Sequence, residues 1–245
     1  MYVVQTKLQK LVTFRDIGEE LVGYIKRVAE LDIVKIHKLL NCIPSNMMHL
    51  FSHLKNLIVK ECECLEEIFE SNDDIMIKYL LINMRLLSLP KMKHIWKTHD
   101  QILAFQNLEW ITIKQCDDLK YVFSDVSMAT SLPSLNYLEV CECKKMEEIV
   151  GNNCVKTQHE AKIRFPSLEY IVLKKLPSLK CFSQSSFLCY VEMPQCFSIR
   201  TEDCPEMKTF WYKGIIYTPK LYEISVENTI FDKYEDVNEV IQQNN

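Results

Sequence analysis

The chain has 245 residues, of which 48% are hydrophobic and 25% are charged, and its formal net charge is −4 at pH 7. This is the composition of an ordinary folded domain, and no uninterrupted apolar run approaches the length of a membrane span. The slightly acidic charge gives no reason to expect nucleic acid as a partner, and four scattered glycines cannot form a glycine-rich phosphate-binding loop.

The first 24 residues match the pattern that follows only loosely, through Leu8, Leu11 and Phe14. We therefore predict a degenerate repeat or an N-terminal cap over residues 1–24. Lys7 and Lys10 interrupt any apolar stretch in this segment, which argues against a signal peptide.

From residue 25 onward, one spacing of apolar residues recurs along the chain. Apolar residues or cysteine follow an anchor residue at offsets 3, 6, 8, 11, 14 and 17, and the anchors fall at positions 25, 51, 78, 105, 132, 165, 193 and 218. One copy consists of Phe51, Leu54, Leu57, Val59, Cys62, Leu65 and Ile68. The longest step, from 132 to 165, contains a polar stretch over 151–162 that we predict to be a surface loop. This self-similarity indicates a repeat architecture.

The spacing within each copy predicts the fold. Offsets 6 and 8 are two residues apart, which is the period of a β-strand whose alternate side chains face a core. Offsets 3, 6, 8 and 11 spell L-x-x-L-x-L-x-x-C, which is a leucine-rich repeat signature. We therefore predict an α/β repeat fold, a leucine-rich-repeat solenoid of about eight repeats over residues 25–231 with a curved parallel β-sheet on its concave face. Because Pro90, Pro177 and Pro205 disfavour long helices, we expect short helical turns or irregular extended segments on the convex face.

The segment over residues 232–245 is charged and does not follow the repeat. Val237, Val240 and Ile241 in this segment have near-helical spacing. We predict a charged C-terminal tail or cap whose short helix closes the last repeat, because the end of a solenoid otherwise exposes its core.

Four cysteines share offset 11, directly after the predicted strand: Cys62, Cys116, Cys143 and Cys204. A small buried thiol can pack there against its equivalents in neighbouring repeats. The chain has no C-x₂-C pair and no Cys/His cluster with zinc-finger spacing, so we expect packing and no metal site. Free cysteines also favour a reducing compartment, and we predict a cytoplasmic location.

Catalytic signatures are absent from the sequence, which contains neither G-x-S-x-G nor H-E-x-x-H. The carboxylate pairs Glu66/Glu67 and Glu147/Glu148 lie at offsets 15 and 16, and Lys93 occupies the first of these positions in another repeat. Such variation is typical of a solvated face. We therefore expect no enzymatic activity and no cofactor.

Strand residues between the core positions should point outward from the sheet. At offset 5, Trp110, Tyr137 and Tyr170 occupy successive repeats, which predicts three aromatic side chains about 5 Å apart. Basic residues at offsets 7 and 9 flank this row: Arg85, Lys60, Lys114, Lys174 and Arg200. Trp, Tyr and Arg dominate the binding energy of many protein interfaces, so we predict a partner-binding site on the concave face. The alternative is that these aromatics reflect strand propensity and cover one another.

Four stretches of the sequence resemble a known family of repeats. FSHLKNLIVKECECLEEIF, FQNLEWITIKQCDDLKYVF and LPSLNYLEVCECKKMEEIV resemble the C-terminal leucine-rich repeats of plant intracellular immune receptors of the coiled-coil nucleotide-binding class. FPSLEYIVLKKLPSLKCF resembles their variant in which a leucine-proline pair replaces the cysteine. The resemblance implies a role in pathogen recognition, in which the repeats bind a pathogen effector or a guarded host protein. It also implies that the repeats restrain the nucleotide-binding domain of the parent receptor.

The chain departs from the full pattern of these receptors, because it has no phosphate-binding loop and no nucleotide-binding domain. It is expected to be a fragment of a larger receptor, a truncated paralogue or a stand-alone repeat protein. The alternative function is therefore that of a decoy or of a substrate adaptor of the F-box type. Residues 1–24 are shorter than the helical module that such an adaptor needs.

Overall fold

The computed structural model describes residues 27–43, 49–70, 79–96, 105–151, 161–227, 229–231 and 236–244. The strands in these ranges are β1 (Glu30–Val34), β2 (Asn41–Ile43), β3 (Asn56–Lys60), β4 (Glu67–Phe69), β5 (Asn83–Leu87), β6 (Trp110–Lys114), β7 (Tyr137–Cys141), β8 (Glu148–Val150), β9 (Ala161–Arg164), β10 (Tyr170–Lys174), β11 (Cys181–Glu192), β12 (Ser198–Glu202), β13 (Trp211–Tyr217), β14 (Glu223–Val226) and β15 (Thr229–Phe231). The helices are α1 (Val126–Thr130) and α2 (Val237–Asn244). The predicted cap over residues 1–24 lies outside the described residues, and the end of the predicted loop belongs to β9.

One sheet contains the strands that start at offset 5 of each repeat. Its order is β1-β3-β5-β6-β7-β10-β12-β14-β15, and every pair is parallel except the last. Equivalent offsets lie side by side across the repeats; Trp110, for example, is in register with Tyr137, and Tyr137 with Tyr170. We call this the long sheet. Its parallel pairing and constant register confirm the predicted leucine-rich-repeat solenoid.

The inward side of the long sheet forms the core. Side chains at offsets 6 and 8, such as Leu57, Val59, Leu138 and Val140, are completely buried. Burying each such side chain contributes about 1.5–3 kcal/mol, and nearly every repeat supplies an apolar pair; in one repeat offset 8 is the buried Thr201. The apolar residues at offsets 11, 14 and 17 complete the same continuous core.

The return segments of the repeats form a second layer of strands. In this layer β2 pairs with β4, and β11 pairs with β8, β9 and β13, all in parallel. Isolated bridges between Glu67 and His94 and between Phe123 and Val150 extend the ladders. The extended segments expected on this side are therefore present, and the difference from the expectation is that they pair as regular strands. A helix is about 10 Å across and neighbouring strands lie about 4.8 Å apart, so an extended return keeps the same repeat spacing on both sides of the core.

The short helix α1 lies in the connection between the return segment that ends near Phe123 and the next strand of the long sheet, β7. Its N-cap is Asp125, whose carboxylate accepts a hydrogen bond from the backbone N–H of Met128 at 3.0 Å. Met128 and Ala129 are buried, so the helix covers part of the core.

The offset-11 cysteines pack in the core as predicted. Cys62, Cys116, Cys143 and Cys204 are completely buried, and each thiol donates a hydrogen bond to the carbonyl two residues earlier, at 3.3–3.5 Å. Burial raises the pKa of Cys204 to about 11, which keeps its thiol neutral. Within the described residues, no group of three or more His, Cys, Asp or Glu could hold a metal ion.

Each strand of the long sheet up to β14 is followed by a residue with positive φ, at offset 10 of the repeat or, after the shorter β14, at offset 9. These residues have φ between 48° and 59°: Lys35, Glu61, Ser88, Gln115, Glu142, Lys175, Asp203 and Glu227. The left-handed turn lets the backbone leave the sheet while the ladder continues; the N–H of Gln115, for example, donates to the carbonyl of Cys141 at 3.0 Å. None of these residues is glycine, so the sequence gives no sign of the turn.

Both sheets are covered at the C-terminal end of the repeats. β15 turns back and pairs antiparallel with β14, and α2 buries Val237, Val240 and Ile241 against the last repeat. The Asn238 side chain accepts a hydrogen bond from the backbone N–H of Trp211 at 2.7 Å and donates one to the carbonyl of Gly214 at 3.1 Å. One side chain therefore satisfies a donor and an acceptor on β13, where another strand would otherwise pair.

Candidate protein interface

The structure brings the three predicted aromatic side chains together on the outward side of the long sheet. Each is the first residue of its strand, on β6, β7 and β10. The ring centroids of Trp110 and Tyr137 are 4.8 Å apart with an interplanar angle of 24°, and those of Tyr137 and Tyr170 are 6.4 Å apart at 43°.

Two further aromatic side chains continue this row, and the sequence did not predict them. Phe197 lies 5.9 Å from Tyr170, and Tyr222 stacks on Phe197 with centroids 5.3 Å apart and an interplanar angle of 11°. Phe197 and Tyr222 sit at offset 4, one residue before β12 and β14, so a search of offset 5 alone finds Ser198 and Glu223 instead. A tolerance of one residue in the frame would have found them.

We call Trp110, Tyr137, Tyr170, Phe197 and Tyr222 the aromatic row. It crosses five strands and is roughly 19 Å long, from four strand spacings. The rings contact one another, yet Trp110 is 44% exposed, Phe197 41% and Tyr222 64%. Mutual covering alone therefore leaves much apolar area open to solvent, which is the usual property of an interaction site.

In the two repeats before Trp110, the offset of the aromatic side chains is occupied by asparagine. Asn83 is in register with Trp110, and its side-chain amide donates a hydrogen bond to the Asn56 side chain at 2.6 Å. The N-terminal end of the aromatic row is therefore bounded by a polar ladder.

Three of the predicted basic residues are neutralised by carboxylates on the next strand. Lys114 pairs with Glu139 at 2.8 Å, and Lys174 pairs with Glu202 at 2.6 Å. The hydrogen bond from Lys114 to Glu139 raises the pKa of the Lys114 ammonium, and the bond to Glu202 does the same for the pKa of Lys174. At these three positions the flank of the row consists of ion pairs, so it is less basic than offsets 7 and 9 alone predicted.

The Arg200 guanidinium makes the most specific of these pairs. Its Nε donates to Glu223 Oε1 at 3.0 Å and its Nη2 to Glu223 Oε2 at 2.9 Å. This two-point contact holds the planar groups in one orientation and raises the pKa of Arg200.

The other two predicted basic residues lie on strands before the row. Arg85 is on β5, in register with Thr112 of the neighbouring β6. Lys60 is on β3, two strands from Trp110, and pairs with Glu61 at 3.0 Å. The structure thus places Arg85 next to the aromatic row and Lys60 away from it.

Cys141 lies among the outward residues of β7, the second strand of the aromatic row. Its thiol contacts Glu139 Oε1 at 3.6 Å and is only 7% exposed. Burial, with the Glu139 charge, raises the pKa of Cys141 to about 12, so the thiol stays protonated and unreactive. The face therefore offers aromatic contact area with a neutralised polar margin, which suits non-covalent binding of a protein.

In the described part of the chain, no helix is long and apolar enough to cross a membrane.

Comparison with known proteins places these repeats in a family. Residues 16–144, more than half of the chain, match the family model described as plant disease resistance protein RPS2-like, leucine-rich repeats. The chain is also 28% identical over 102 residues to a probable disease resistance protein of Arabidopsis thaliana, a match that covers 40% of this chain and 11% of that protein. No solved structure matches the chain. On the family match and the repeat geometry together, this chain belongs to the RPS2-like leucine-rich repeats of plant disease resistance proteins.

Proposed function

We propose that this chain is a protein-recognition module of the plant defence response, and that the aromatic row binds a protein ligand. The ligand is a pathogen effector or a guarded host protein. The observation on which the proposal rests is the run of five neighbouring rings on one side of the long sheet, three of them more than two-fifths exposed. Membership of a disease resistance family supplies the biological context.

The geometry favours binding because the rings are already ordered before a partner arrives. They stand on parallel strands whose backbone ladders fix the spacing, and Tyr and Trp side chains have only two rotatable torsions. Ordering them on binding therefore costs little conformational entropy, and most of the gain from covering their apolar area is retained.

The ion pairs at the flank define the chemistry of the proposed contact. Because Lys114, Lys174 and Arg200 already have carboxylate partners, the partner segment over the row is apolar or neutral and not strongly acidic. Tyrosine hydroxyls and the paired charges supply the polar rim that such interfaces have.

In a full receptor, we propose that these repeats also restrain the nucleotide-binding domain until the ligand binds. The matched region corresponds to 11% of the length of the Arabidopsis relative, so the remaining domains of such a receptor would be the partners of this contact. The chain itself acts by binding, without catalysis. Its proposed location is the cytoplasm, because the ten cysteines that the structure describes are all free.

The test compares two triple variants, each of which loses three aromatic side chains. One carries alanine at Trp110, Tyr137 and Tyr170; the control carries alanine at Tyr190, Tyr212 and Tyr217, which are exposed on β11 and β13 of the second layer. Both are checked for folding by circular dichroism, and their partners in plant cells are identified by proximity labelling. We expect partners that are lost by the first variant and kept by the control. Identical partner sets for the wild type and the first variant would refute the proposal.

A further inference from the structure

A groove of about 960 Å³ runs along the edge where the strands of the long sheet end. Its walls include the left-handed residues that follow the strands, from Gln115 in one repeat to Glu227 in the last, and residues two positions later such as Asp117 and Pro205. We call it the rim groove. The aromatic row lies at the beginning of the same five-residue strands, roughly 17 Å away along the strand direction. The groove is large enough to hold part of a peptide.

The half of the rim groove nearer the N-terminus is electrically neutral. Asp117 pairs with Lys144 at 2.7 Å, and Glu142 pairs with Lys175 at 3.3 Å. The Glu142 carboxylate also accepts a hydrogen bond from the Gln115 side chain at 2.8 Å. These groups already satisfy one another and leave no net charge for a ligand.

The other half of the groove is acidic. Asp203 and Glu227 are the left-handed residues that follow β12 and β14 in adjacent repeats, and neither carboxylate forms an ion pair within the described ranges. Glu227 Oε1 accepts a hydrogen bond from the backbone N–H of Asp203 at 2.7 Å, which leaves its second oxygen and both oxygens of the Asp203 side chain open. Asn244, the last residue of α2, also lines this half, and the C-terminal end of a helix favours positive charge.

Two exposed proline rings lie beside these carboxylates. Pro177 and Pro205 occupy equivalent positions in adjacent repeats and form an apolar part of the groove wall. Lysine and arginine carry a long aliphatic stem below the charged group, and such stems pack well on apolar surface. The groove therefore offers carboxylates for the charged group of a basic side chain and an apolar wall for its aliphatic stem.

We propose that the rim groove binds a basic peptide segment of a protein partner, with arginine or lysine stems against Pro177 and Pro205 and their charged groups on Asp203 and Glu227. This site goes beyond the proposed function, since it lies at the opposite end of the strands and does not depend on the aromatic row. Charge-assisted hydrogen bonds to carboxylates make arginine the better ligand, because its guanidinium can contact two oxygens.

The test uses a fluorescent hexa-arginine peptide and the full chain, with binding followed by fluorescence anisotropy. The groove variant is Asp203→Asn with Glu227→Gln, which keeps the shapes of both side chains; asparagine also tolerates the left-handed conformation of position 203. The control is Glu63→Gln with Glu66→Gln, which removes the same charge in an N-terminal repeat. We expect the groove variant to bind about tenfold more weakly than the wild type and the control, as lost charge-assisted bonds imply.

Equal affinities for the groove variant and the control would overturn the proposal, because binding would then follow net charge alone. Absence of binding to the wild type would overturn it as well.

A second pair of peptides tests the role of the proline rings. A hexamer of diaminopropionate carries the same charges as hexa-lysine on much shorter stems, and it should bind more weakly if the stems pack on Pro177 and Pro205. Equal binding of the two peptides would show that the proline rings do not contribute. Trp110→Ala should leave hexa-arginine binding unchanged, so that failure of the aromatic row and failure of the groove are distinguishable.

Discussion

The two sides of the long sheet belong to the same strands and obey different rules. Inward residues such as Leu138 and Val140 are completely buried, and nearly every repeat has an apolar residue at each of their positions. Outward residues on the same strand, such as Tyr137 and Glu139, vary from repeat to repeat and make only lateral contacts. Stability therefore resides on one side of each strand, and the recognition that we propose resides on the other, so the outward side can change without loss of the fold.

The largest change in stability is expected from a truncation on the inward side of the sheet. We expect Leu138→Ala to lower the free energy of unfolding by about 2–5 kcal/mol, because it leaves a cavity in the core. Urea denaturation followed by circular dichroism measures this change. Thr112→Ala, on the outward side of the neighbouring strand, is the control and should change stability by less than about 0.5 kcal/mol. An unchanged denaturation midpoint for Leu138→Ala would mean that the repeat frame is misplaced.

The outward side is tested by Trp110→Ala. We expect the free energy of unfolding to fall by about 1 kcal/mol or less, since the indole is 44% exposed and contacts Tyr137 on one side. Binding of the protein ligand should be lost, because removal of the aromatic anchor uncovers the end of the row. Melting curves and a binding assay with the partner identified by proximity labelling separate the two effects. A stability loss as large as that of Leu138→Ala would place Trp110 in the core.

The left-handed turn at offset 10 belongs to neither side of the sheet. A glycine substitution there should raise the free energy of unfolding, whereas the truncations above lower it. Ser88 has φ of 54°, so Ser88→Gly removes the strain of a left-handed non-glycine residue and should stabilise the chain by about 0.5–1 kcal/mol. The hydrogen bond from Ser88 to Gln115 is lost but is exposed and contributes little. Thr112→Gly, within β6, should instead destabilise. If both glycine substitutions lowered the denaturation midpoint, the turn would not be strained.

The smallest effect is expected at the ion pairs that flank the row. Lys114→Ala should lower the free energy of unfolding by no more than about 1 kcal/mol, because the Lys114–Glu139 pair is partly exposed. Added salt should make this decrease smaller. The pKa of Lys114 is raised in the folded chain, so its contribution is present below the ordinary lysine pKa and is lost as pH rises through the folded value. Denaturation at pH 8 and at pH 11 measures this difference. A cost that grows at the higher pH would contradict the pairing.

The inward side of the sheet could be predicted almost completely from the sequence. Apolar residues at fixed offsets predict the strands, their parallel register and the packing of cysteines such as Cys116 and Cys143, because burial selects residue type at each position. The return segments were predicted less well, since their apolar residues do not reveal that their backbones pair with each other.

The outward side could be predicted only in part. Trp110, Tyr137 and Tyr170 share one offset and were found together, whereas Phe197 and Tyr222 are displaced by one residue. Contacts such as Arg200 with Glu223 join different offsets on neighbouring strands, and a map of single positions does not contain them. Whether the aromatic row binds a partner stays a prediction until the variants are measured.

The contact between Asn238 and β13 has a consequence for the assembly of repeats. A repeat protein can be regarded as a one-dimensional polymer whose last unit offers a template to the next. Asn238 occupies a donor and an acceptor of that template, at Trp211 and Gly214, so α2 behaves as a terminator of growth. Another strand, from a longer repeat array or a second molecule, can add to these positions of β13 only after α2 has moved away.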